Sequence, residues 1–485
     1  MSSQNHHNPL HIFFFPFLAH GHLIPTIDMA KLFTSRGLKS TIITTPLNAP
    51  IISKSLSNSP KTPLIQILTI PFPHTDFPSL QGCENIDSIS SPTSINTFFE
   101  ASTLLQHPLE QVFQQSHPLP HCIVADMFFP WATDSAAKFG VPRIVFHGNC
   151  FFTLCATVCV RLHKPYETVS SDSEPFVIPD LPGNITMTSS QVPNFVKNSD
   201  NVVSGLLSAC KESEIRSYGV VVNSFYELEM EYADYYRNVL GRKAWHIGPV
   251  SLCNTKTEEK ANRGKEISMD EHECLKWLDT KKPNSVVYVC FGSTTNFADF
   301  QLKEIAMGLE ASGKEFIWVV KKSEKDEIFT EESWLPEGFE ERMGSEGKGM
   351  IIRGWAPQLL ILEHEAIGVF VSHCGWNSTL EAISGGVAMV TWPVSAEQFY
   401  NEKLVTQVLK IGLPIGVKKW SGVGESVKWE AIEKSVKKTM EGEEAEEMRS
   451  RAKVLSQKAR EAMQNGGSSY ADLSSLIQGL ASPIR

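Results

Sequence analysis

Near the start of the chain stands "HIFFFPF", a continuous apolar run. A strand reads this way when both faces of a parallel sheet are covered. "LIPTIDMAKLFTSRG" follows, with Leu23, Ile27, Ala30 and Phe33 close to helical spacing. Pro25 falls in the first turn of that helix, where proline is tolerated, and Gly37 is suited to end it in the left-handed conformation. "LKSTIITT" is the next strand. The alternation returns in "HCIVAD", "PWATDSAAKFG" and "VPRIVFH", read as strand, helix and strand. Strands alternating with helices predict a doubly wound parallel sheet.

Between these units lie Pro/Ser-rich stretches such as "PFPHTDFPSLQGCENIDSISSPTS". They are too long for simple connections and are expected to be binding loops or lids. Near residue 250 the pattern lapses. "NTKTEEKANRGKEIS" is polar and charged, and reads as a linker over 251–270. A second α/β series follows: "SVVYVCFGS", "LKEIAMGLEASG", "EFIWVVK", "GMIIRGW", "GVFVSHCG", "VAMVTWP" and "AEQFYNEKLVTQVLKIG". From about 429 the chain is charged and helical. Two sheets facing each other across a cleft are predicted, with ligands at the C-terminal ends of the strands.

A chain of 485 residues exceeds one hydrophobic core, which agrees with two domains. The net charge of −10 argues against a nucleic-acid partner or an anionic-membrane surface. The ten cysteines form no CxxC pair, so reduced thiols in a cytoplasmic protein are expected. Cys150, Cys155 and Cys159 lie near helical spacing among Phe and Leu, which favours packing over metal or redox chemistry. No window reaches the roughly 18 apolar residues of a spanning helix.

There is no GxGxxG and no GxxxxGK[ST], so dinucleotide and P-loop sites lack support. Residues 355–398 instead read "WAPQLLILEHEAIGVFVSHCGWNSTLEAISGGVAMVTWPVSAEQ". A buried strand there runs through a tight turn into a helix beginning at Asn377 and Ser378, both good N-cap types. A helix N-terminus offers unpaired N–H groups and a positive dipole end, which suit a phosphate. Singly, each residue has an ordinary reading: a core tryptophan, a helix cap, a solvated glutamate.

Together, these 44 residues resemble, almost position for position, the signature box of plant secondary-product UDP-glycosyltransferases (family 1). "WAPQ", "HCGWNS" and the closing acid–glutamine pair stand at the expected spacing. "AHGHLIP" and the "AD" ending "HCIVAD" extend the resemblance to the first half. It implies the GT-B fold, two Rossmann-like domains around a cleft. Residues 1–250 would bind the acceptor, 271–460 the UDP-sugar, and 461–485 would pack back on the first domain. The UDP diphosphate would meet the helix N-terminus at Asn377 and Ser378, with His373 and Ser293 as further donors. Trp355 would stack on uracil and Ala356 would bond its edge through its backbone. Gln358 and Glu381 would hold the ribose, and Trp376, Glu397 and Gln398 the sugar.

The resemblance also assigns the histidine before "LIP", His22, as catalytic base and Asp126 as its partner. The chemistry agrees. A neutral imidazole near pKa ~6.5 can take a hydroxyl proton at cellular pH, and a carboxylate on its other nitrogen fixes the tautomer. His20 is expected to be a polar loop residue or a partner that supports the site from behind. No metal is expected. The implied activity is inverting transfer of glucose from UDP-glucose to a hydroxyl or carboxyl of a hydrophobic plant metabolite, a triterpenoid or flavonoid. Alternatives are UDP-galactose, UDP-xylose or UDP-glucuronic acid as donor, or a non-catalytic nucleotide-sugar binder. The acceptor would lie among loops near 73–100, 147–165 and 180–205. A closing glutamine at 398 accompanies UDP-glucose in the family. The protein is expected to be a monomer.

Overall fold

The computed structural model of the chain describes residues 9–57, 64–89, 91–197, 202–269, 271–321, 334–421 and 424–482. Residues 90 and 198–201 of the predicted acceptor loops, residue 270 of the predicted linker and residues 483–485 of the predicted tail lie outside them. The first sheet contains β1 (His11–Phe15), β2 (Lys39–Thr44), β3 (Ile65–Thr69), β4 (Cys122–Asp126) and β5 (Arg143–His147). An antiparallel hairpin, β6 (Pro175–Val177) and β7 (Thr186–Thr188), precedes its last two strands, β8 (Gly219–Val222) and β9 (Ala244–His246). The strand order is β3-β2-β1-β4-β5-β8-β9, parallel throughout. The second sheet holds β10 (Val286–Cys290), β11 (Glu315–Val320), β12 (Gly349–Arg353), β13 (Ile367–Ser372), β14 (Ala388–Thr391) and β15 (Gly412–Pro414). Its order is β12-β11-β10-β13-β14-β15, again parallel.

β1 sits between β2 and β4, and Phe13, Phe14 and Phe15 are all buried. Phe14 enters the core on one face of the sheet, and Phe13 and Phe15 enter the core on the other. Each such ring contributes about 1.5–3 kcal/mol by leaving water. In both sheets the chain winds outward one way and then crosses to the other side. The switch falls between β1 and β4 in the first sheet and between β10 and β13 in the second. Loops leaving two such neighbours diverge and open a crevice at their C-terminal ends. His20 and His22 follow β1, Asp126 ends β4, Ser293 follows β10 and His373 follows β13.

Several elements differ from expectation. The first helix is His20–Ser35, so both histidines belong to its first turn and not to a loop. The amides of His22 and Leu23 already bond the Ala19 carbonyl, at 3.0 and 2.8 Å, and this starts the helix early. Pro25 is therefore the sixth helical residue, in the second turn. The second-half helix is Trp376–Gly385 with Gly375 as its N-cap, so Asn377 and Ser378 lie inside the first turn and neither caps it. The Pro/Ser-rich stretch contains two 3₁₀ turns and then a helix, Pro92–Thr103. The polar segment near 260 is not a free tether. It forms a short helix, Thr257–Ala261, and then packs between the two halves.

The last helix, Ser468–Ala481, buries Leu473, Leu476 and Leu480 against the first sheet's core. Its Asp472 accepts from Arg237 at 2.6 Å and from the His246 amide at 2.8 Å. Among the described residues, no helix is long and apolar enough to cross a membrane. All ten cysteines are free thiols, and Cys150, Cys155 and Cys159 are buried among apolar side chains.

Candidate active site

The two crevices open into one cavity of about 870 Å³, lined by both halves. His20 and His22 are two residues apart on a helix, so their side chains diverge by about 200°. Each therefore meets its own carboxylate. His22 Nδ1 is 2.7 Å from Asp126 Oδ2. The Asp126 side chain is fully buried, and its Oδ1 accepts the Phe128 amide at 3.0 Å. Burial opposes a charge on the His22 ring, but the Asp126 carboxylate outweighs it, and the ring's pKa is raised above the usual 6.5. The ring packs between Phe17, Phe128 and Gly148.

His20 Nδ1 bonds Asp87 Oδ2, which also accepts the His20 amide at 2.9 Å and the Ser293 hydroxyl at 3.1 Å. Burial disfavours ionisation of Asp87, yet the His20 bonds hold its carboxyl below the ordinary range. Of the two expectations for His20, the polar loop residue does not hold, and the ring is instead a buried partner of a carboxylate. Asp87 was not singled out from the sequence. Its only signal was its place in a long Pro/Ser-rich segment.

On the other wall, Gly292 has φ +73°, and a Cβ there would sit 2.6 Å from the His373 ring. Only glycine lets the turn after β10 approach His373 so closely. Burial and the nearby Lys321 lower the His373 pKa to about 4, so the ring is neutral near pH 7, and its Nδ1 has no hydrogen-bond partner among the described residues. Asn377 Nδ2 donates across the cleft to the Gly21 carbonyl at 2.6 Å. Proline at 25 explains why that carbonyl is free: it lacks the N–H that would bond residue 21 four positions back. Trp376 also crosses the cleft, its indole N–H reaching the Asn223 carbonyl at 2.7 Å.

The predicted ribose pair is joined directly. Gln358 Nε2 donates to Glu381 Oε2 at 2.7 Å and to Ser378 Oγ at 3.2 Å. Arg263, from the segment expected to be a linker, bonds Glu381 through Nη1 at 2.5 Å and Asp28 through Nε at 2.7 Å. Burial disfavours its charge, but the two carboxylates outweigh that and raise its pKa. The next residue, Gly264, has φ +98° and lies so close to Trp355 that a Cβ would approach the indole to 2.4 Å. The sequence reading took this polar, charged run as a linker and did not single out Arg263.

Eleven of the thirteen predicted site residues line the cavity: His22, Ser293, Trp355, Ala356, Gln358, His373, Trp376, Asn377, Ser378, Glu381 and Glu397. Asp126 stands behind His22. Gln398 is turned away. Its Oε1 accepts the Val394 and Ser395 amides at 2.8 and 2.9 Å and so shapes the loop that presents Glu397. Burial raises the Glu397 pKa, against the opposing pull of nearby donors and His22.

Residues 107–419 match the family described as UDP-glucoronosyl and UDP-glucosyl transferase. The chain is 55% identical to scopoletin glucosyltransferase of Nicotiana tabacum, over 97% of this chain and 98% of that protein. It is 54% identical to anthocyanin 3'-O-beta-glucosyltransferase of Gentiana triflora, over 98% of each. UGT73P12 of Glycyrrhiza uralensis, complexed with glycyrrhetinic acid 3-O-monoglucuronide, superposes with a TM-score of 0.90 at 41% identity, over 98% of this chain and 96% of that one. UGT71G1 of Medicago truncatula, complexed with UDP-glucose, gives 0.78 at 28% identity, over 98% and 99%.

Proposed function

The chain belongs to the UDP-glycosyltransferase family with the GT-B fold, and from that premise we propose that it moves glucose from UDP-glucose to a hydroxyl of a hydrophobic plant metabolite, a triterpenoid or flavonoid, with inversion. The observation that carries the reading is the His22–Asp126 bond beside a cavity shared with the Trp376–Gly385 helix N-terminus. With Nδ1–H directed at Asp126, the lone pair of His22 Nε2 is free to take the acceptor's proton. The acceptor oxygen attacks the anomeric carbon as the bond to UDP breaks, and the imidazolium is held by Asp126. General-base help of this kind is worth about 10²–10⁴-fold.

The diphosphate leaves toward the first turn of Trp376–Gly385, with His373 and Ser293 as donors. Ser293 must then release Asp87, because a carboxylate and a phosphate compete for one hydroxyl. Glucose as the sugar is supported by glucosyltransferase relatives and by Glu397 at the cavity wall. Gln398 acts on the sugar through its loop.

The test is mass spectrometry of acceptors incubated with UDP-glucose, paired with UDP release. The wild type adds one hexose. His22→Ala loses turnover and keeps UDP affinity, because the nucleotide contacts lie in the second half. Equal rates for the two proteins would remove the base assignment. UDP binding without turnover on any acceptor would leave a nucleotide-sugar binder.

A further inference from the structure

The acceptor side of the cavity is apolar near His22 and basic behind it. The helix Phe151–His163 presents Leu154 and Val158 to the cavity, then Arg161. The helix Val202–Arg216 presents Leu207, then Lys211 and Glu214. Arg242 closes the same end. Three cations therefore share one cavity wall with one carboxylate.

That carboxylate is already engaged. Glu214 accepts Tyr236 OH at 2.7 Å and meets His147 Nε2 at 2.8 Å, with Arg242 at 3.7 Å. Among the described residues, Arg161 reaches only the Ser208 hydroxyl, at 3.1 Å. Among the described residues, neither Arg161 nor Lys211 has an ion-pair partner. Burial and the facing Arg161 and Arg242 lower the Lys211 pKa to about 8. Uncompensated positive charge in a partly dry cavity is costly unless an anion arrives. The cluster is also continuous with the catalytic dyad: His147 joins Glu214 to Met127, the residue after Asp126, and Gly148 touches the His22 ring.

We propose that Arg161, Lys211 and Arg242 form a subsite for a carboxylate carried by the acceptor, so that the enzyme favours apolar hydroxy acids and glucosylates their hydroxyl. This rests on the acceptor reading above and narrows it. A guanidinium and an ammonium on one side of a carboxylate give charge-assisted bonds, while the apolar helix faces cover the scaffold and leave the hydroxyl to His22.

The test uses two matched pairs with saturating UDP-glucose: a hydroxy-triterpenoid monocarboxylic acid and its methyl ester, and a hydroxycinnamic acid and its methyl ester. For at least one scaffold, the acid should have a KM about 10-fold or more below the ester's, the lower end for bonds to a charged group. Lys211→Met and Arg161→Met should each raise the acid's KM about 10-fold more than the ester's. Ester turnover serves as the check that the variants fold. Equal KM for acid and ester on both scaffolds, or variants that shift acid and ester alike, would overturn the subsite and leave the glucosyltransferase reading standing. Glucose esterified to the carboxylate would also overturn it, since the carboxylate would then have been at His22. Failure of all four compounds while a neutral flavonoid is glucosylated would overturn the subsite alone, and failure of the flavonoid as well would overturn both readings.

Discussion

Replacing Asp126 by Asn keeps the shape of a fully buried side chain and changes which atoms donate. Asp126 now accepts twice, from His22 Nδ1 at 2.7 Å and from the Phe128 amide at 3.0 Å. Asparagine has one acceptor and one donor at those places. If its oxygen faces Phe128, its amide group faces His22 Nδ1, which must then accept. The ring proton moves to Nε2, and the base is lost. If its oxygen faces His22, two donors confront each other at Phe128 in a buried site, at a cost of about 1–3 kcal/mol, or roughly 5–150-fold. Only this second arrangement can react, and it also lacks the negative charge that holds the imidazolium. In a Ser-His-Asp triad the corresponding tautomer error costs about 10⁴. The expected loss in kcat is about 10²–10⁴, with UDP affinity unchanged.

The pH profile gives a second readout. The reactive form of His22 is neutral, so kcat/KM rises with pH through the ring's pKa. Asp126 holds that pKa above 6.5, so the acid limb of the wild type lies above 6.5. Without the charge, burial pulls the limb down. A loss below about 10-fold, or an acid limb that stays in place, would refute the tautomer argument.

His373, with its pKa lowered to about 4, should take up part of a proton when the diphosphate of UDP-glucose arrives, because an anion favours the charged ring. Calorimetry near pH 6 in buffers of different ionisation enthalpy reads this directly, and release of protons would contradict it. Arg263→Met leaves Asp28 and Glu381 buried without their cation, at a cost of about 3–5 kcal/mol, which should lower the apparent melting temperature by several degrees. An unchanged melting curve would mean that the segment near 260 does not join the halves.

What could be read from the sequence was what depends on neighbours along the chain. The phenylalanines of β1 announce a strand because a parallel sheet covers both their faces. The two four- and three-residue strands β8 and β9 carry too short a pattern to stand out. Charged positions were harder, because burial of a charge is decided by partners far away in sequence. Arg263 sits in a run that looks solvated, and its carboxylates lie 235 and 118 positions away. Asp87 reaches Ser293 across 206 positions. The histidine pair shows the boundary most clearly. Its place after the first strand was legible, but the start of the helix at His20 depends on Ala19 accepting two amides. That start sends one ring to Asp126 and the other to Asp87. It also places Pro25 where its missing N–H leaves the Gly21 carbonyl open. Asn377, from the opposite half, takes that carbonyl. One proline in the second turn thus ties the His20–Ser35 helix to the Trp376–Gly385 helix of the other half, a link that no local pattern encodes.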